Sequence, residues 1–306
     1  MSMLATGTIL ERRPVNPKAT VIIPTFDDWR GLQKCLDCLA GQSAAPELFE
    51  VIVANNNSSP EVPQSLRLPA NARVIHAAKP GSYAARNAAL HEARGDVLFF
   101  TDSDCQPDIR WIEAGLARIA DLGPHGRVAG AVELFPRGAN WTGPELYDRI
   151  NALLQEVYSG EGWGVTANLV VRRAAFDLAG PFSEDRFSLG DREWGLRAFE
   201  HGCEIVFCPE TLVRHPARAS FSELAKKRRR LQGGQYHNEI LGTSPKRPVS
   251  SYLPFLSFME IQRTLAYPGL TDVQRIQVLW VAFRLGAVSF LEVVRLRYLF
   301  GDPKRS

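Results

Sequence analysis

The sequence predicts an α/β protein: an open, largely parallel sheet with helices on both faces, followed by a helical C-terminal extension. Three observations predict it. Over the first hundred residues, short β-branched runs alternate with segments of helical spacing, joined by short connections. The polar groups able to do chemistry, Pro24-Thr-Phe-Asp27, Asn55-Asn-Asn57 and Asp102-Ser-Asp104, each begin where an apolar run stops, and ligands of such sheets bind beyond the carboxyl ends of strands. No Gly-x-Gly-x-x-Gly follows the first strand and no Gly-Lys-Ser/Thr loop occurs, so dinucleotide oxidoreductases and P-loop enzymes lack their fingerprints.

Thr20 to Pro24 reads as a buried strand closed by proline, Trp29 to Ala40 as a helix, and Phe49 to Ala54 as a strand ending in the loop Asn55 to Pro60. Arg73 to His76 is the third strand, Tyr83 to Arg94 an alanine-rich helix, and Asp96 to Thr101 the fourth strand. From Arg127 the pattern is less regular. Val128 to Phe135 and Val165 to Arg172 read as strands around a helical stretch from Gly143 to Tyr158, and Glu204 to Phe207 and Thr211 to Arg214 as two further extended segments. The tail from Pro254 to Phe300 reads as helices broken near Tyr267-Pro-Gly269. We divide the chain into an N-terminal segment (1–17), a catalytic domain (18–240) and a helical extension (241–306).

With 306 residues, 45% hydrophobic and 23% charged, the chain has globular composition and disorder over most of its length is excluded. Met1 to Leu10 offers no basic region followed by a long apolar one, which leads to the expectation of a cytoplasmic protein. The five cysteines suit reduced thiols better than a disulfide framework; Cys35-Leu-Asp-Cys38 has no second pair at ligand spacing and lies in a helical pattern. Charge is uneven. From Arg214 onward there are 16 Lys/Arg against 6 Asp/Glu, and before it 20 against 27. Nucleic acid, an anionic lipid surface and a diphosphate-bearing substrate all suit a basic tail, with a solvated helix face as the plain alternative; we adopt the substrate and the lipid surface, and no nucleic acid.

Asp102-Ser-Asp104 is the strongest single feature. Two carboxylates at i and i+2 beyond a buried strand can converge on one hard divalent cation, Mg2+ or Mn2+, whose remaining positions accept phosphate oxygens of a nucleotide diphosphate. The flanks make it specific. Val21-Ile-Ile-Pro-Thr25, Glu50-Val-Ile-Val53 with its polar loop, Gly81-x-x-x-Ala-Arg86-Asn87, Ala93-Arg-Gly-Asp96 and Phe99-Phe-Thr-Asp-Ser-Asp104, in that order, resemble the nucleotide-sugar half of family 2 glycosyltransferases. The resemblance implies a GT-A fold, Rossmann-like and mostly parallel, and a donor site formed by Pro24, Thr25, Phe26, Asp27, Asn55, Arg86, Asp102 and Ser103. Asn55 stands where the family usually has an acid; an amide still bonds a base edge.

The downstream half matches as well. Gly164-Val-Thr-Ala-Asn168 resembles the segment that meets the acceptor, and Gly190-Asp-Arg-Glu-Trp-Gly-Leu-Arg197 resembles the family's Glu-Asp-x-Asp/Glu-Leu/Trp-x-x-Arg, with Gly190 in place of the glutamate. By resemblance Asp191 is the base and Glu193 the second acid of an inverting transfer, in which the acceptor hydroxyl loses its proton as it attacks opposite the diphosphate. One carboxylate suffices, because the leaving group is stabilised by cations. A helix N-cap is the structural alternative for Asp191. His215, in Val213-Arg-His-Pro216, falls where many GT-A enzymes add a histidine to the metal site. Lys226 to Arg230 and Gln232-Gly-Gly-Gln-Tyr236 resemble a basic, glycine-containing lid, with Arg229 and Arg230 on the diphosphate. Trp163 and Trp194 either stack on sugars of the acceptor or pack in the core.

The expected function is therefore sugar transfer from a nucleotide diphosphate donor, UDP-linked by resemblance, to a glycan or lipid-linked acceptor. A non-catalytic sugar-nucleotide binder and a sugar nucleotidyltransferase are the rivals; the second calls for a Gly-rich basic loop where this chain has Pro24-Thr-Phe-Asp-Asp-Trp29. The uncharged run Leu285 to Leu291 is too short to span a bilayer. The basic tail helix either lies on an anionic membrane surface or packs on the domain.

Overall fold

The computed structural model describes residues 16–299 other than 60, 61, 187, 241, 243, 244 and 253–256. Most of the N-terminal segment, Pro254, Phe300 and the polar end beyond it lie outside the described residues. The chain runs β1 (Ala19–Thr25), α1 (Trp29–Ala40), β2 (Phe49–Asn55), β3 (Ala72–His76), α2 (Ser82–Glu92), β4 (Val97–Thr101), β5 (Gln106–Pro107), α3 (Trp111–Ala120) and β6 (Arg127–Phe135). It continues with α4 (Gly143–Asn151), α5 (Gln155–Gly160), β7 (Asn168–Arg172), α6 (Arg173–Ala179), α7 (Gly190–Glu200), β8 (Ile205–Pro216), α8 (Phe221–Ile240), α9 (Phe258–Ala266) and α10 (Asp272–Tyr298).

One sheet has the order β3-β2-β1-β4-β7-β6-β8-β5. Strands β3, β2, β1 and β4 pair in parallel, and β6 pairs in parallel with β8. Between them β7 is antiparallel to both β4 and β6, so the sheet is less uniformly parallel than the sequence predicts. Burial on both faces explains the continuous apolar runs: every residue of β1, β2 and β4 is buried. One core lies between the sheet and α1 and α3, around Leu36, Phe99 and Trp111. The other lies under α2, α6 and α7, around Phe100, Phe182 and Trp194. Gly95 is required where the chain enters β4, since a Cβ there would meet the Ala19 backbone at 2.4 Å.

Three local expectations are corrected. The helix predicted from Gly143 to Tyr158 is two helices, parted where Leu153 takes a φ of 55°; the break buries Gln155, whose Oε1 accepts from the Val165 N–H and whose Nε2 donates to the Val165 and Asn168 carbonyls. The two segments around Cys208 form one strand, β8, whose register against β6 jumps between Gly130 and Ala131, bulging out Pro209, Glu210 and Thr211; Pro209 has no N–H to donate. The glycine-containing lid is instead part of the continuous helix α8. Gly234 serves packing there, since a Cβ would lie 2.8 Å from Ser188 Cβ.

The C-terminal helices share a third core with the domain. Val278, Val281, Ala282 and Leu285 of α10 pack with Leu146 and Ile150 of α4 and Leu224 of α8. Packing on the domain is therefore real for one face of α10.

Candidate active site

At the carboxyl ends of β1, β4 and β8 a cleft of about 530 Å3 opens, lined on one side by Pro24, Thr25, Phe26, Arg86, Asp102 and Ser103. Thr25 Oγ1 and Arg86 Nε are buried without a protein partner, a costly state for polar atoms unless a ligand or water meets them. Phe26 is 63% exposed at the edge. Arg86 lies within α2, almost wholly buried, and its Nη2 donates to Asp102 Oδ1 at 2.5 Å.

Ligand atoms of Asp102, Asp104, Cys105 and His215 lie within 4.8 Å of one another. The strand ends bring them together: Asp102 and Asp104 follow β4, and His215 sits in β8. His215 Nδ1 lies 2.8 Å from the Pro216 carbonyl and its Nε2 lies 3.4 Å from Asp104 Oδ1. An Nδ1–H donated to that carbonyl leaves the Nε2 lone pair facing the carboxylates. Burial, more than Asp102 and Asp28 nearby, pushes the Asp104 carboxyl up, against the lowering by His215. Two carboxylate groups and an imidazole nitrogen are a donor set that fits Mg2+ or Mn2+. Cys105 was not foreseen here. Its thiol is pushed well up by burial and donates to the Ala167 carbonyl at 3.8 Å, so it stays neutral within the core beneath the cluster.

Asp191 lines the same cleft from the first turn of α7. Its Oδ1 accepts from the Arg192 N–H at 2.9 Å and from Tyr83 Oη–H at 3.4 Å, while Tyr83 Oη accepts from the Gly190 N–H at 2.9 Å. The Tyr83 ring occupies the space of a side chain at 190: a Cβ there would lie 2.6 Å from it. That is the physical reason for glycine at the position. Burial pushes the Asp191 carboxyl up, with the nearby Arg86 and the two hydrogen bonds opposing.

A basic wall closes the far side, formed by Arg218, Lys227, Arg228 and Arg230. Asp148, buried on α4, organises it. It accepts from the Arg218 guanidinium at 2.9 and 3.2 Å and from the Arg218 N–H at 3.1 Å, with Lys227 Nζ at 3.8 Å. Burial first, then Arg218, pulls the Lys227 ammonium down to about 7. Arg228 donates to Tyr147 Oη at 2.7 Å, which lies 2.7 Å from Glu260 Oε1 on α9. Sequence reasoning missed Tyr83, Tyr147, Asp148 and Arg218 as members of this cleft, and named Lys227 and Arg228 only within the basic run. Only Arg218, three residues after His215, and the basic run carried any local signal.

Several expected site residues lie elsewhere. Asn168 is fully buried: its amide accepts from Trp111 Nε1 and donates to the Ala131 and Thr211 carbonyls, bracing β7 against β6 and β8 rather than meeting an acceptor. Trp194 is fully buried, stacked on Phe176 with Nε1–H donated to the Gly180 carbonyl. Trp163 does line the cleft, stacked on Tyr158. Glu193 points away from the cleft wall, accepting from Ser183 Oγ and Arg197 Nε at 3.0 Å each, with Arg186 at 3.6 Å; it clamps α7 to the preceding turn. Asp27, at φ 54°, accepts from the Ser59 N–H, and Asn55 accepts from the Ser58 N–H. Both shape the loops under the cleft, and Asn56 lines it in their place. Arg229 is exposed and outside the lining, whereas Arg230 is within it.

A carboxylate-imidazole cluster, a facing carboxylate and a cationic wall at the strand ends of an α/β sheet can together hold a cation and an anionic group. The family model for glycosyl transferase family 2 matches residues 20–178. Glycosyltransferase AglE of Haloferax volcanii is 34% identical over 226 residues, covering 72% of this chain and 73% of that protein. The pre-mycofactocin glycosyltransferase of Mycobacterium tuberculosis is 26% identical over 227 residues, covering 70% of this chain and 46% of that protein. Among solved structures, the mannosyltransferase PcManGT from Pyrobaculum calidifontis, in complex with GDP-Man and Mn2+, superposes with a TM-score of 0.61 at 17% identity, covering 91% of this chain and 88% of that one. TarS 1-349 of S. aureus with UDP gives 0.51 at 17% identity, covering 92% and 91%. The chain belongs to glycosyl transferase family 2, has the GT-A fold, and is a glycosyltransferase.

Proposed function

We propose that the protein is an inverting, divalent-metal-dependent glycosyltransferase that moves a sugar from a UDP-linked donor to a hydroxyl of a glycan or lipid-linked acceptor. The observation that carries it is the convergence, in one cleft, of the Asp102, Asp104 and His215 donor set with the Asp191 carboxylate. Pro24, Thr25 and Phe26 take the nucleoside, with the unpartnered Thr25 Oγ1 available to it. Asp102, Asp104 and His215 would hold the cation, and Arg86 limits the charge on Asp102. Mg2+ or Mn2+ held there would supply positive charge to a diphosphate leaving group. Arg218, Arg228 and Arg230 add fixed positive charge from the facing wall of the cleft. Asp191 takes the proton of the acceptor hydroxyl, and Trp163 and Tyr158 give the acceptor an aromatic wall. TarS has been solved with UDP and with UDP-GlcNAc, and PcManGT with GDP-Man, so UDP and GDP sugars are the donors to compare. The slow hydrolysis of each donor, followed by proton NMR before mutarotation, tests the reading. An α-linked UDP sugar should yield the β sugar first; the α sugar first would make the transfer retaining.

Tyr83 holds Asp191 in this scheme, so Tyr83→Phe is expected to lower turnover about tenfold with donor affinity within a few-fold. Its hydrogen bond favours the ionised carboxylate; losing it raises the Asp191 pKa further and moves the acid limb of the pH–rate profile to higher pH. An unmoved acid limb would limit Tyr83 to packing.

A further inference from the structure

We propose that α9 and α10 form a docking face for an anionic lipid bilayer, which holds the cleft beside the membrane surface. The proposal goes beyond the catalytic reading and does not depend on it. Helix α10 is apolar on two opposite faces. At about 100° per residue, Val278, Val281, Ala282, Leu285, Ser289, Val293 and Leu296 share one face, and all are buried. The opposite face repeats apolar residues at Val273, Ile276, Trp280, Phe283, Ala287, Leu291, Val294 and Tyr298. Ile276, Trp280 and Leu291 are 67, 58 and 64% exposed, and Trp280 stacks on Phe283 in the open. On the adjoining α9, Phe258, Met259 and Leu265 are exposed as well. So many exposed large apolar residues on two packed helices are uncommon on a soluble monomer and mark a contact surface.

By length and composition α10 could cross a bilayer, with a mean hydropathy of 1.6 over its most apolar window. Its inner face, however, belongs to the core shared with α4 and α8, and Leu285 on that face lines the cleft. To span a bilayer α10 would have to leave this core or carry the charged helices α4 and α8 with it, whereas lying along an interface keeps the core intact. The charges select the occupant. The acids of this region are engaged or at its end: Glu292 with Arg295, Glu239 with Arg297, Glu260 with Tyr147, and Asp272 with Arg275 at the helix start. Arg263, Arg284, Lys226 and Arg229 have no acidic partner within ion-pair distance among the described residues. A second copy would set these like charges near one another, whereas anionic head groups neutralise them. The exposed aromatic pair suits the same boundary, where aromatic side chains anchor interfacial helices.

Co-sedimentation of the full chain, without donor or acceptor, with vesicles of phosphatidylcholine alone or mixed with phosphatidylglycerol tests the proposal. The protein should bind the mixed vesicles, release with rising salt, and bind phosphatidylcholine far less. Ile276→Glu combined with Trp280→Glu should weaken binding about tenfold or more, and Leu291→Glu, a separate exposed site, should weaken it in the same direction, with the melting temperature unchanged in at least one of them. Failure of the wild type to bind either vesicle, equal binding to both, or undiminished binding by both variants would overturn the proposal. So would a wild-type dimer in light scattering that the substitutions convert to monomer, since the face would then belong to a second copy. Donor hydrolysis measured on the same samples is expected to be unchanged by these substitutions, and its absence in wild type would strike the catalytic reading alone.

Discussion

Replacing Asp191 with asparagine is expected to lower turnover about 10²-fold or more while donor affinity stays within a few-fold, the scale of losing a positioned general base. The shape of the site is kept, since asparagine still accepts from the Arg192 N–H and the ring of Tyr83 still fills the space beside Gly190. Only the proton acceptor is removed. Stability should move the other way. Burial raises the Asp191 pKa in the folded chain, so this group's contribution is fully present below the unfolded value and is lost as pH rises through the folded one. At neutral pH the wild type carries a partly buried charge that asparagine lacks, and the variant should melt at or slightly above the wild-type temperature. Near-normal turnover in a folded variant would remove Asp191 from the mechanism. Glu193 is not a substitute, because Arg186, Arg197 and Ser183 already occupy its oxygens away from the cleft.

Asp104→Ala is expected to be comparably damaging through the donor. Calorimetric titration of UDP into wild type should tighten on adding Mn2+, and the variant should lose about tenfold or more of that gain, with turnover falling about 10²-fold. His215→Ala should lose part of the same gain, because Nε2 faces Asp104 at 3.4 Å. An equal response to Mn2+ in wild type and Asp104→Ala would place the cation elsewhere.

The first half of the fold was legible because β1, β2 and β4 are buried on both faces. Their apolar runs are continuous and end at proline, asparagine or aspartate, so boundaries fell within one or two residues. The antiparallel β7 was not legible, since Asn168–Arg172 is as apolar as its parallel neighbours and pairing direction leaves no mark on burial. In the cleft, Asp102, Asp104, Asp191 and His215 could be named because each sits at the end of a strand or the start of a helix in a motif. Asn168 and Glu193 were named by their place in matching motifs, and Trp194 from residue type. Neither tells which way a side chain turns, and all three are spent on hydrogen bonds or packing within the protein. The cluster of Tyr147, Asp148, Arg218 and Arg228 draws on α4, the end of β8 and α8. Such convergence across some eighty residues has no local signature. Helix α10 was ambiguous for a plainer reason. With apolar residues on opposite faces, periodicity alone does not say which one the core takes; Trp280, Phe283 and Leu291 are exposed, while Leu279, Val288 and Val294 are half-buried.

The central claim is sugar transfer from a metal-held nucleotide diphosphate, and release of the nucleoside diphosphate from a panel of UDP and GDP sugars tests it most directly. With purified protein and Mn2+, at least one donor should release its diphosphate at a rate that EDTA abolishes, that returning Mn2+ restores, and that Asp104→Ala reduces. Release from no donor, or release indifferent to both EDTA and Asp104→Ala, would contradict it.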